Sequence, residues 1–154
     1  MSALDHKIPP PLVALVCAAA VYGATVAWPH TVLDWPGRSL VATLVALCGL
    51  ACDAAGIWAF RRHRTTVNPL SPHKASAVVQ DGIYRFTRNP MYAGMALLLT
   101  AWSVWLGQPL GVLVVLPLFV AYITRFQIQP EERALQAKFG ADYTAYMGHV
   151  RRWL

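Results

Sequence analysis

Residues 40–60 read LVATLVALCGLACDAAGIWAF, an apolar run from Leu40 to Phe60 interrupted by a single charge, Asp53. A helix needs about 20 such residues to cross roughly 30 Å of hydrocarbon at about 1.5 Å per residue, so this stretch is predicted to span a membrane. Comparable runs extend from Ile8 to Trp28, from Met91 to Leu106 and from Leu110 to Ile123. The last two are shorter and are joined by the breaker triplet Gly107-Gln108-Pro109, which makes them either full spans with polar flanks or a short hairpin that crosses incompletely. Composition agrees: the chain of 154 residues is 56% hydrophobic and only 13% charged, too few polar groups to coat a soluble globule. Trp28, Trp35, Trp58 and Tyr84 stand near the ends of these runs, where amphipathic rings favour the headgroup zone.

The expected architecture is therefore all-α: a single polytopic membrane domain over residues 1–154, with membrane helices at 8–28, 40–60, 91–106 and 110–126 and a C-terminal amphipathic helical tail. The opening MSALDHKIPPP has no basic region, apolar core and cleavage site of a removable signal, so the first run is expected to stay as an anchor. Of thirteen Lys and Arg, six fall between Arg61 and Arg88 and five between Arg125 and Arg152, all flanking one face of a four-helix arrangement. The positive-inside rule predicts that this face, with both termini, is cytoplasmic, in an inner or plasma membrane. The net charge of +6 then points to anionic headgroups rather than nucleic acid. Cys17, Cys48 and Cys52 lie inside apolar runs with no His nearby, so no metal site is expected and they read as packing residues. Small residues four apart, Ala19/Gly23/Ala27 in the first run and Ala42/Ala46, Ala51/Ala55 and Cys52/Gly56 in the second, are expected to be helix-packing faces. Asp53, deep in its helix, must face protein or water, as a substrate-binding group or a structural hydrogen-bonding one.

Two segments at the predicted cytoplasmic face, 61–90 and 127–154, carry the polar chemistry. The first runs RRHRTTVNPLSPHKASAVVQDGIYRFTRNPMY, with Pro69 and Pro72 marking turning backbone, a turn at Asp81-Gly82, and Asn89 as the cap of a helix whose first turn holds Pro90. The second, RFQIQPEERALQAKFGADYTAYMGHVRRWL, places Leu135, Phe139, Tyr143, Tyr146 and Val150 on one stripe, with Gly140 as a bend. Pro130, Glu131 and Glu132 fit the first turn of that tail helix, where the fixed φ of proline and the helix dipole both favour them.

The string GIYRFTRNPMYAG, followed after a helical hairpin by PEERALQAKFGADYTAY and a terminal VRRW, resembles the isoprenylcysteine carboxyl methyltransferases and related phospholipid methyltransferases. Gly82, Tyr84, Arg88, Pro90, Tyr92, Glu131, Glu132, Phe139, Gly140, Tyr143 and Tyr146 fall on the family pattern, which covers roughly the C-terminal half of the chain. The His of the pattern is Asn89 here, and an Arg five residues before the second Glu is Gln127, with Arg125 the nearest replacement. The resemblance implies methyl transfer from S-adenosylmethionine to a lipophilic acceptor such as an isoprenoid-thiol carboxylate or a phospholipid amine. It implies cofactor contacts at Tyr84, Arg88, Asn89, Tyr92, Glu131 and Leu135, with Arg88 on the donor carboxylate. Glu132 and Arg125 would stand at the reacting centre, Glu132 orienting the acceptor or accepting its proton, and Asp53, Tyr143 and Tyr146 would meet the acceptor. Two other classes compete: the NADPH-dependent sterol reductases, which share a similar R-H-P-x-Y segment, and a non-enzymatic adaptor binding anionic lipid through the basic loop and tail.

Overall fold

In the computed structural model, residues 7–63 and 78–154 are described. The turning backbone expected at Pro69 and Pro72 lies outside them. Helix α1 spans Pro10–Ala27, α2 Arg38–Arg62, α3 Pro90–Leu106, α4 Gly111–Phe139 and α5 Ala141–His149, with short 3₁₀ turns at Pro29–Thr31 and Gly82–Arg85. There is no strand among the described residues. Helices α1, α2 and α4 are long and apolar enough to cross a membrane, whereas the apolar α3 has 17 residues. The chain is a membrane protein.

Its surface is inverted relative to a soluble domain. Leu12, Leu15 and Val16 of α1 and Leu40, Leu44, Leu47, Leu50 and Trp58 of α2 are exposed, as lipid-facing side chains are. Inside such a surface, hydroxyls must find local partners. Thr25, Thr43, Thr100 and Ser103 each donate to the carbonyl one turn earlier, at Val21, Ser39, Ala96 and Leu99 respectively.

Helices α2 and α3 form the main contact of the bundle. Gly49 and Gly94 face each other so closely that a Cβ on Gly94 would stand 2.8 Å from the Gly49 carbonyl oxygen and only 2.2 Å from Oδ1 of Asp53. Ala42, Gly49 and Gly56, spaced by seven, are buried on α2 together with Ala59; of the fourfold pairs expected, Ala46 and Cys52 are partly buried beside Ala42 and Gly56, and Ala51 is exposed. A seven-residue repeat keeps one seam toward a single neighbour, and α3 is that neighbour. The α1 expectation is corrected outright. Ala19, Gly23 and Ala27 are exposed, and Val13, Ala14, Cys17, Ala18 and Val21 turn inward instead.

The breaker triplet behaves as its residues require. Gly107 ends α3 at a φ of 67°, and Gln108 is fully buried, exchanging hydrogen bonds with Thr31. Leu33 N–H donates to the Gly107 carbonyl at 2.7 Å, and Arg38 donates to the Leu33 carbonyl, so the two loops at this end are knotted together.

At the opposite end α4 departs from expectation. No helix starts at Pro130; α4 runs through it without interruption. A proline inside a helix lacks the N–H for its own turn, and its ring crowds the carbonyl four residues back. The helix widens to π geometry just before each proline, at Gly111–Val115 ahead of Pro117 and at Thr124–Ile128 ahead of Pro130. At 29 residues α4 is about 43 Å long, more than the hydrocarbon needs, so its polar end emerges with Glu131 and Glu132 upon it.

Candidate active site

At this end the 3₁₀ turn, the start of α3, the polar end of α4, α5 and the last residues of the chain meet. Gly82, at a φ of 58°, turns the backbone so that Tyr84 lies under α2, packed on Ala59 and Val79 with its ring edge-on to Phe60 at 5.3 Å. Asp81 just before it accepts from His63 Nε2 at 2.9 Å, fixing the turn to the end of α2. That hydrogen bond, then the charges of His63 and Arg62, hold the Asp81 carboxyl below its ordinary range.

The segment Thr87–Asn89 is pinned by the last residues of the chain. Arg88 N–H donates to the Arg151 carbonyl at 3.0 Å, and the Arg152 carbonyl accepts from Thr87 Oγ1 at 3.3 Å and Asn89 Nδ2 at 2.8 Å. Asn89 thus occupies the cap position of α3 without capping it, because its amide is drawn to Arg152. Trp153 reaches Thr124 Oγ1 through its indole N–H at 3.0 Å and packs on the apolar core of Tyr92, Leu99, Phe119, Ile123 and Ile128.

Two carboxylates stand on α4 within this frame. Glu132 is buried and receives a two-pronged fork from Arg152, Nε to Oε1 at 3.0 Å and Nη2 to Oε2 at 2.7 Å, while Arg88 Nη2 lies 3.2 Å from Oε1. Glu131 accepts from the Tyr92 phenol at 2.5 Å. With no helix terminus at this point, guanidinium and phenol partners supply the stabilisation that the sequence assigned to a helix dipole. The Arg88 side chain is only 10% exposed, and its Nε and Nη1 are buried without a hydrogen-bond partner. Buried donors left unmade cost about 1–3 kcal/mol, more on a charged group, so two on one guanidinium mark a place where an anion fits.

Tyrosines close the walls. Tyr146 Oη donates to the Tyr84 carbonyl at 2.8 Å, and the Tyr143 and Tyr146 rings lie 6.0 Å apart. Burial pushes all three phenols up, followed for Tyr84 by Tyr146 and Glu131, for Tyr143 by Glu132, and for Tyr146 by Tyr143.

Of the residues singled out from the sequence, Tyr84, Arg88, Asn89, Tyr92, Glu131, Glu132, Tyr143 and Tyr146 come together here. Leu135 is partly buried one turn beyond Glu131 on α4. Arg125 is exposed, with its guanidinium over the Phe126 ring at 5.6 Å, and Gln127 is buried and donates to the Ile8 carbonyl at 2.8 Å. Asp53 lies apart, more than two turns inside α2 from its site end, with Oδ1 buried against Gly94 and lacking a hydrogen-bond partner. Arg152, Thr87 and Trp153 were given no role from sequence, although VRRW was visible as a basic-aromatic ending. Among the described residues no group of three or more His, Cys, Asp or Glu is placed to hold a metal ion.

Comparisons with known proteins point to a family. An uncharacterised protein of Haemophilus influenzae is 47% identical over 64 residues, covering its whole length and 42% of this chain. No solved structure gives a significant match. The family profile described as phospholipid methyltransferase matches residues 38–142, from the start of α2 through Tyr92 and both glutamates into α5. A membrane protein carrying that profile over most of its length, with Arg88, Tyr92 and the glutamate pair gathered at one end, belongs to the phospholipid methyltransferase family, whose members are membrane methyltransferases.

Proposed function

We propose that this protein transfers a methyl group from S-adenosylmethionine to a lipophilic acceptor at the cytoplasmic face of the membrane. The observation that carries the reading is the buried Arg88 guanidinium with Nε and Nη1 unpartnered, which suits the carboxylate of the donor. S-adenosylmethionine supplies an electrophilic methyl on a sulfonium sulfur, and its transfer asks the protein chiefly for alignment and exclusion of water. Arg88, held by Glu132 and by its backbone bond to Arg151, fixes one end of the donor. Tyr84, Tyr92 and Leu135 furnish aromatic and apolar walls for its cationic part. Asn89 supports this indirectly, since its amide holds the C-terminal chain in place.

Four crossings, counting the 17-residue α3, put Lys7 and the basic ends of α2 and α4 on the site's side, with Arg38 on the other. The positive-inside rule makes the site cytoplasmic and its basic rim a partner for anionic headgroups. The acceptor enters sideways from the bilayer.

The test is thermal stabilisation of the detergent-purified protein by S-adenosylmethionine, S-adenosylhomocysteine and NADPH in separate titrations. Stabilisation by the first two is expected. A response to NADPH alone would sink the proposal in favour of a reductase, and no response to any of them would favour a lipid-binding adaptor.

A further inference from the structure

Neighbouring carboxylates on α4 meet opposite surroundings. Both oxygens of Glu132 are taken by Arg152, and Arg88 adds a second guanidinium; the residue is 8% exposed. Its charge is matched by two guanidinium groups, and both its oxygens face them rather than an acceptor. Glu131 is more exposed and is bonded to a neutral phenol. The groups around it are Tyr92 from α3, Tyr84 from the 3₁₀ turn, Tyr143 from α5 and Glu132 on its own helix, while Arg88 turns toward Glu132. An anionic carboxylate among phenol rings attracts a cationic or proton-shedding amine and repels an anionic acceptor.

Resting on the methyltransferase reading, we propose that the pair divides its work: Glu131 is the catalytic carboxylate that meets an amine acceptor and takes its proton, and Glu132 is a positioning residue that acts through Arg88. Glu131 takes a proton from the acceptor's ammonium group, and the lone pair so freed forms the new C–N bond as the C–S bond breaks and its electrons return to sulfur. The proton on Glu131 then passes to water. Tyr92, by donating to Glu131, favours the ionised form of that carboxylate.

The test uses the full chain in lipid nanodiscs, calorimetric binding of S-adenosylmethionine, and methyl transfer to phosphatidylethanolamine in phosphatidylcholine vesicles across pH. Glu131→Gln is expected to lower kcat by about 100-fold and to erase the acid limb of the kcat profile, with donor Kd within about threefold of wild type. Glu132→Gln is expected to weaken donor binding by about tenfold, by loosening Arg88, and to keep the acid limb. Tyr92→Phe preserves the ring and moves the acid limb to higher pH, an arm that stands even if Glu131→Gln does not fold. The proposal is overturned if Glu131→Gln keeps the wild-type rate and profile, if the acid limb disappears in Glu132→Gln instead, if Tyr92→Phe leaves the limb in place, or if the wild type binds donor yet methylates a lipid carboxylate and not the amine. Failure of the wild type to bind donor overturns the methyltransferase reading itself, a result separable from all of these.

Discussion

A guanidinium that gives one nitrogen to Glu132 and leaves two others buried and unmatched is stable only because the C-terminal chain and α4 hold it there. Replacing Arg88 with Lys retains the charge and removes the planar fork. The expected result is a loss of S-adenosylmethionine affinity of tenfold or more by calorimetry, and an unchanged Kd would mean that the donor carboxylate lies elsewhere. The buried phenols give a second prediction. Tyr84, Tyr143 and Tyr146 are held protonated above their ordinary range, whereas in an unfolded chain they ionise near pH 10. A raised native pKa means that stability is fully present below the unfolded value and declines as the pH rises beyond it. Alkaline titration should therefore show tyrosinate absorbance from these residues appearing together with loss of helical circular dichroism; ionisation in the intact fold would contradict it. Arg88, Tyr92 and the glutamate pair were legible because their spacing follows two short motifs. Arg152 was not, since its partner lies 20 residues away across a helix break and no local pattern links them.

Among the helices, apolar length and end signals were easily read: proline opens α1 and α3, and left-handed Gly107 closes α3. The α4 boundary was hidden. A proline followed by two glutamates has the same local chemistry at the first turn of a new helix as inside a continuous one widened ahead of it. Packing faces were only half legible, because small residues at a spacing of four occur on the exposed side of α1 as well as in real contacts. The α2–α3 contact is where small size matters. Gly94→Ala would drive a methyl into Asp53 and the Gly49 carbonyl, an overpacking expected to cost about 1–3 kcal/mol and to lower the thermal midpoint in detergent. Gly23→Ala, with nothing within 4 Å of its new methyl, should leave the midpoint unchanged or higher. Equal effects from the two would contradict the assigned face.

Considered whole, the molecule was most legible in its membrane character, since composition and charge distribution set that without any detail of packing. Orientation rests on the same asymmetry and is open to a direct check. Asp34→Cys, in the loop opposite the site, should react with a membrane-impermeant thiol reagent applied outside intact cells, and Asp142→Cys, on α5, only after the membrane is opened. The reverse pattern would turn the protein over.

The knot between the loops at the far end has a mechanical meaning. With Leu33 tied to Gly107 and Gln108 locked onto Thr31, the bundle is clamped at one tip, as tongs are at their hinge. From that clamp to Pro90 helix α3 is about 25 Å long, so a tilt of about 5° would move its far end by about 2 Å. That end carries Asn89 and Tyr92, so any such tilt would be felt at the site and not in the tied loops.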